Sequence, residues 1–199
     1  MSESVAALVL AAGQGSRFRQ AAGADQDKLL ARCVGRDGVE RAVLEHLLLS
    51  LPQGLGTRLL VTTADRLEVI RLAQVYGCRV LLIESTGMGD SLAAAVTATA
   101  DSAGWLVVLG DMPFILPGTV AQVMAGIEGD GVFVPVFRGE YGHPVGFGRS
   151  FGPALMGLSG DRGAKSLFAG GKVREVSVED PGVLWDVDVP AMLTLGGYS

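Results

Sequence analysis

Short apolar runs alternate with stretches of helical spacing over the first part of the chain. Val5 to Leu10 is apolar and stops at Ala11-Ala12-Gly13-Gln14-Gly15, which predicts a buried strand running into a glycine-rich loop. Val39, Ala42, Val43 and Leu47 share one helical face, and Pro52 and Gly54 close that helix. Arg58 to Thr63 predicts a second strand, and Val69, Leu72, Ala73 and Tyr76 mark a second helix stopped by Gly77. Arg79 to Ile83 is a third strand, Leu92, Ala95, Val96 and Thr99 mark a third helix, and Trp105 to Leu109 is a fourth strand. A helix from Pro117 to Gly126 and a strand from Val132 to Phe137 come next. Repeated strand-helix alternation predicts an α/β fold: a mostly parallel sheet covered by helices on both faces. Past Phe137 the runs shorten to Val145–Phe147, Val173–Val178 and Val183–Trp185, separated by glycines and charged turns. That part is expected to build a lid or acceptor region on the same sheet, with no linker dividing the chain.

Ligands of open α/β sheets sit beyond the carboxyl ends of the strands. The segments in that position are the first glycine loop with Arg17 and Lys28, Glu84 to Ser91, Gly110-Asp111-Met112-Pro113 and, near the end, Trp185 to Pro190. The first loop lacks the Gly-Lys-Ser/Thr of a Walker A loop, and Phe18 stands where a dinucleotide fingerprint has its third glycine. Its free amides and Arg17 can still wrap and neutralise a triphosphate; otherwise it is an ordinary strand-to-helix turn. Asp90 or Ser91 is expected to cap the third helix, while Gly87 and Gly89 give a base or ribose access to the backbone. Met88 is either part of that surface or core. Asp111 is either a loop cap or a hard oxygen ligand for Mg²⁺, which takes one or two protein carboxylates. Asp186 and Asp188, two apart in an extended segment, face one side, so either reaches the metal or one holds the other's loop. His143 is an acceptor contact or a turn histidine, and Arg162 and Lys165 lie on a solvated face or meet an acceptor phosphate.

Composition narrows the choice. In 199 residues, 49% of them apolar, there is material for one substantial core, and no run reaches the roughly 18 uncharged apolar residues of a membrane helix. Met1-Ser2-Glu3-Ser4 is acidic and short, unlike a secretory leader. A net charge of −5 without a basic block argues against nucleic acid as the main partner. Cys33 and Cys78 form no Cys-x-x-Cys, and His46 and His143 complete no zinc site. The expected setting is a reducing cytoplasm, with small-molecule substrates and no membrane partner.

Taken in order, these segments resemble the molybdenum-cofactor nucleotidyltransferase family (MobA-like NTP transferases), and within it the cytidylyltransferase branch. The resemblance runs from Leu8 to about Leu193. It rests on Leu10-Ala11-Ala12-Gly13 with Arg17, Gly87-Met88-Gly89-x-Ser91, Leu109-Gly110-Asp111-Met112-Pro113, and Gly142-His143-Pro144-Val145 with Gly160-Asp161-x-Gly163-Ala164. Asp186-x-Asp188-x-Pro190 also fits. The resemblance implies a Rossmann-like three-layer α/β/α fold of the glycosyltransferase-A kind. It implies one nucleotidyltransferase domain over residues 1–199, with an NTP-binding half over 1–136 and an acceptor-binding half over 137–199. It implies attack by a pterin phosphate on the α-phosphorus of CTP, or of GTP in the sister branch, with pyrophosphate leaving. Arg17, Lys28 and Asp111 would be catalytic. Leu10, Ala11, Ala12, Gly13, Gly15, Ser16, Arg17, Lys28, Gly87, Gly89 and Ser91 would bind nucleotide, and His143, Asp161 and Gly163 the molybdopterin acceptor. Asp111 and Asp188 would hold Mg²⁺. A transient contact with molybdenum enzymes or their maturation factors would deliver the product.

The sequence departs from the family in the first loop. Phe18-Arg19 replaces Met-Gly, and Gln20 to Asp27 reads as an insertion before Lys28. Lys28 is expected to reach the triphosphate all the same, with Asp25 and Asp27 turned to solvent; the alternative is that Arg19 does its work. Ala12, where the guanylyl branch tends to have glycine, favours CTP. Competing functions are a nucleotidyltransferase for a sugar or polyol phosphate, a non-catalytic nucleotide- or cofactor-binding protein, and a metal-dependent glycosyltransferase.

Overall fold

The computed structural model describes residues 4–84, 87–170 and 172–196. Leu8, Leu59 and Trp105 turn to one side of the central strands and Val9, Leu60 and Leu106 to the other, all nearly or fully buried. A strand with two buried faces requires cover on both, and the helices supply it. The strands are β1 (Ala6–Leu10), β2 (Arg32–Val34), β3 (Glu40–Ala42), β4 (Thr57–Thr62), β5 (Arg79–Leu82), β6 (Gly104–Leu109), β7 (Gly131–Phe137), β8 (Glu140–Tyr141), β9 (Val145–Gly148) and β10 (Lys172–Ser177). The helices are α1 (Ser16–Ala22), α2 (Val43–Ser50), α3 (Leu67–Val75), α4 (Met88–Thr97), α5 (Pro117–Gly126) and α6 (Gly152–Met156).

The main sheet runs β10-β7-β9-β6-β1-β4-β5, with β8 attached to β7. β1 is parallel to both β4 and β6, whereas β9 lies antiparallel between β6 and β7. Residues from α2, α3 and α5 share one apolar cluster with Ala7, Val9, Leu60, Leu106 and Val108. Residues from α4 and α6 share the other with Ala6, Leu8, Val61, Trp105 and Val107. The result is the expected three-layer α/β/α fold on a mostly parallel sheet. From β1 the chain passes to β4 and β5 on one side and then returns to β6 on the other side of β1, so the sheet switches direction of winding there. Leu10 is level with Leu109 across that switch, where an open sheet leaves a crevice.

Three local expectations are corrected. The helix containing Val39 begins only at Val43, because Glu40–Ala42 pairs antiparallel with Arg32–Val34. Gly38, at φ 77°, closes that hairpin, a conformation glycine adopts without Cβ strain. Val183 to Trp185 is no strand: Pro181–Leu184 forms a 3-10 turn whose Gly182 amide donates to the Asp180 side chain. Asp180, 1% exposed, also accepts from Arg36, Leu116 N and Thr119, so this buried carboxylate is fully bonded and structural. Finally, α4 is capped by Gly87 rather than by Asp90 or Ser91. Ser91 Oγ donates back to Gly87 O at 2.9 Å, and Asp90 Oδ1 accepts from Gly160 N at 3.0 Å.

A candidate nucleotide and acceptor site at the switch point

The first loop is pinned where it leaves β1. Ala11 N donates to Val61 O at 2.9 Å, and Ala11 O accepts from Thr62 Oγ1 at 3.1 Å and from Arg66 Nη1 at 2.5 Å. Gly13 and Gln14 are left exposed. Gly15, at φ 60°, turns the chain into α1. Phe18, the departure from the family pattern, is 2% exposed and packs with Cys33, Val43, Phe114 and Val187. It anchors α1, which carries Arg17 and Ser16 on its exposed start.

Lys28 returns to the same place. Its ammonium lies 2.5 Å from Asp111 Oδ2 and 3.5 Å from Asp188 Oδ1. Gly15 lies beside the Lys28 stem, where a Cβ would make only ordinary contact at 3.4 Å, so it is the positive φ and not space for the lysine that favours glycine there. Arg17 Nη1 is 2.6 Å from Asp188 Oδ2, but the arginine side chain is 75% exposed, so this pair contributes little to stability. Arg19 faces elsewhere, toward a cleft lined by Asp25, Asp65 and Glu68. Asp25 is exposed as expected, but Asp27 is not turned to solvent: it takes a two-pronged contact from Arg66, at 3.0 and 2.8 Å.

Asp111 comes directly after β6, and its carbonyl accepts from Val187 N at 2.9 Å. That backbone bond ties the late segment to the end of the β6 loop. Val187 is fully buried, and Asp186 and Asp188 flank it on the open side. Carboxylate oxygens of Asp111, Asp186 and Asp188 all lie within 4.8 Å of one another. Burial first, then the charges of Asp111 and Asp188, holds the Asp186 carboxyl above its ordinary range. A trio of hard oxygens this close together is a donor set suited to Mg²⁺ or a similar hard dication.

Two clefts open here. One, about 120 Å³, is lined by Leu10, Ala11, Ala12, Gly13, Lys28, Arg66, Met88, Ser91 and Asp111, among others. The second, about 250 Å³, is walled by Leu92, Val107, Val145, Phe147 and Phe168, with His143, Gly163 and Lys165. Leu10, Met88 and Leu109 line both, so the clefts adjoin; Met88, 42% exposed, is a shared wall and not core. Gly87 and Gly89 do another job. A Cβ on Gly89 would lie 2.7 Å from Arg162 O, and one on Gly87 2.6 Å from Gly160 O. These glycines let α4 meet the 159–162 loop, and Gly89 N donates to Gly160 O at 2.8 Å. Gly89→Ala is therefore expected to cost about 1–3 kcal/mol by overpacking, read in urea denaturation. Asp161 is exposed and lines neither cleft. Ser85 and Thr86 lie outside the described residues.

His143 N donates to Val183 O at 2.9 Å. Burial pushes its imidazole down to about 4, against the opposing pull of Asp111 and with help from Lys165. The ring is neutral at physiological pH and lines the second cleft as an uncharged polar group, not a cation. Its unfolded pKa is near 6.5, so the unfolded chain binds the extra proton and stability falls as pH drops from about 6.5 to about 4. His143→Gln should lose less stability than the natural chain over that window, measured as denaturation midpoints across pH.

Arg66 is the site residue that sequence reasoning passed over. It lies just past β4, another parallel strand, and the same rule that singled out the loops after β1 and β6 points to it.

A sheet that places a glycine loop, two cations and three carboxylates at its switch point defines an α/β protein of the nucleotidyltransferase fold class. The family model of the MobA-like NTP transferase domain matches residues 7–177, and the chain belongs to that family. It is 35% identical over 153 residues to the bifunctional protein GlmU of Maricaulis maris, a match that takes in 75% of this chain and 31% of that protein. The chain thus spans about a third of the length of the curated relatives it matches. A nucleotidyl transferase from Methanothermobacter thermautotroptrophicus has the same fold at TM-score 0.79 and 23% identity, over 96% of this chain and 94% of that one. Rv0371c from Mycobacterium tuberculosis is similar at TM-score 0.78 and 25% identity, over 96% of both chains. A complex of Rv0371C with manganese is similar at TM-score 0.69 and 24% identity, over 89% of both. No helix among the described residues is long and apolar enough to cross a membrane.

Proposed function

We propose that the protein transfers a nucleotidyl group, CMP from CTP, to the phosphate of molybdopterin. The observation that carries this reading is the junction of two unlike clefts across Leu10, Met88 and Leu109. One has the charges a metal triphosphate needs. The other is apolar and aromatic, with Phe147 and Phe168 in its wall, and favours a flat ring over a heavily hydroxylated sugar or polyol.

In this reading Lys28 and Arg17 leave their carboxylate partners and neutralise the triphosphate, while backbone amides of the first loop contact its oxygens. Asp111, with Asp186 and Asp188, holds Mg²⁺, which supplies charge neutralisation when bound. The terminal phosphate oxygen of the acceptor forms a bond to the α-phosphorus, and the bond from that phosphorus to pyrophosphate breaks. The acceptor oxygen arrives as an anion, so no side chain has to remove a proton; His143, neutral, orients the acceptor. Catalysis is then positioning and charge compensation. Ala12 supports CTP over GTP.

The test is pyrophosphate release with Mg²⁺, molybdopterin and each NTP in turn. CTP with molybdopterin should give the highest kcat/KM. A clear GTP preference assigns the guanylyl reaction instead, and release only with a sugar or polyol phosphate overturns the acceptor.

A further inference from the structure

We infer that Arg66 and Asp27 form a clamp that seats Lys28 in the nucleotide cleft, which makes Arg66 a positioning residue for nucleotide binding. The inference rests on the nucleotide reading of that cleft but not on the identity of the base or acceptor. Arg66 holds both ends of the first loop. Its Nη1 donates to Ala11 O, where the loop leaves β1, and its Nε and Nη2 donate to the Asp27 carboxylate, one residue before Lys28. The Arg66 side chain is 5% exposed and that of Asp27 18%. A buried two-pronged arginine–carboxylate pair fixes orientation as well as distance.

Asp27 passes this order along the chain. Its Oδ1 accepts from Leu29 N at 2.9 Å, and its carbonyl accepts from Leu30 N and Ala31 N. Leu29, 2% exposed, is locked into the core. Lys28 sits between a clamped residue and a buried one, so its backbone has little freedom. Arg66 is itself held, since its N donates to Thr63 O and its carbonyl accepts from Ile70 N at the start of α3. The exposed stretch from Ala21 to Gln26 can therefore be long without loosening Lys28. A free loop of that length would spread the ammonium over several ångströms, and displacement of about 1 Å at such a group can cost about 10²-fold in rate.

The experiment measures binding of Mg·CTP and Mg·GTP by calorimetry, together with thermal melts, for Arg66→Lys and Asp27→Asn. Each variant is made in the natural chain and in Lys28→Ala. Arg66→Lys keeps the charge and loses the fork; Asp27→Asn keeps the shape and loses the charge, so one serves if the other fails to fold. Each is expected to weaken nucleotide binding by about tenfold or more, and to add nothing once Lys28 is already alanine. The same loss in both backgrounds would overturn the clamp, because Arg66 would then touch the ligand itself or act only through general stability. Unchanged binding in either folded variant would overturn it too. A natural chain that binds neither nucleotide refutes the nucleotide reading itself, a result distinct from either of these.

Discussion

Asp111→Asn is expected to fold like the natural chain and to lose on the order of 10²–10³ in turnover, the usual cost of removing one preorganised electrostatic contact. The substitution conserves shape, and the backbone bond from Val187 N to Asp111 O does not depend on the side chain. Asp186 and Asp188 therefore remain where they are. The substitution removes one of three carboxylates whose oxygens lie within 4.8 Å of one another, and with it the nearest partner of Lys28. Single-turnover rates, a thermal melt and Mn²⁺ binding followed by electron paramagnetic resonance give the three readings. Weakened Mn²⁺ binding, an intact melt and a collapsed rate are the expected set. Near-normal turnover in the folded variant removes Asp111 from the chemistry.

Lys28→Ala should lower kcat/KM for the nucleotide by a similar factor of about 10²–10³, whereas Arg19→Ala should stay near the natural value. The difference comes from where the two side chains point. Lys28 lies among the carboxylates and is 11% exposed, while Arg19 lines the separate cleft with Asp25 and Asp65. Lys28→Ala carries a second signature of opposite sign. Without nucleotide, the ammonium competes with a dication for Asp111 and Asp188, so its removal should tighten Mn²⁺ binding even as it weakens nucleotide binding. An inert Lys28→Ala beside a crippled Arg19→Ala would transfer the role to Arg19.

The repeating pattern of apolar runs and helical spacing was enough to assign the α/β class and most element positions, because a strand buried on both faces can hardly be anything but apolar. The helix at Pro117–Gly126 has the bounds its spacing implies, since proline favours a first helical turn and glycine an end. The position of Asp111 and of the first loop was legible for the same reason: both come directly after buried strands. Local spacing also showed that Asp186 and Asp188 face one way.

Other features exist only once distant segments meet. The Glu40–Ala42 strand needs Arg32–Val34 beside it, and no helical count reveals a partner six or more residues away. The insertion of β9 between β6 and β7, against the direction of both, is a pairing choice; its sequence is equally good for an edge. Gly87 and Gly89 read as ligand-facing because glycine in a loop is permissive, yet it is the backbone of residues 159–162 that demands them. Arg66 and Asp27 are 39 positions apart, and each looks like a solvated charge in isolation. Sequence alone determined which residue types stand at the ends of the parallel strands. Only the tertiary structure decided which of those charges face one another, because an ion pair is set by distance in space and the chain records only distance along itself.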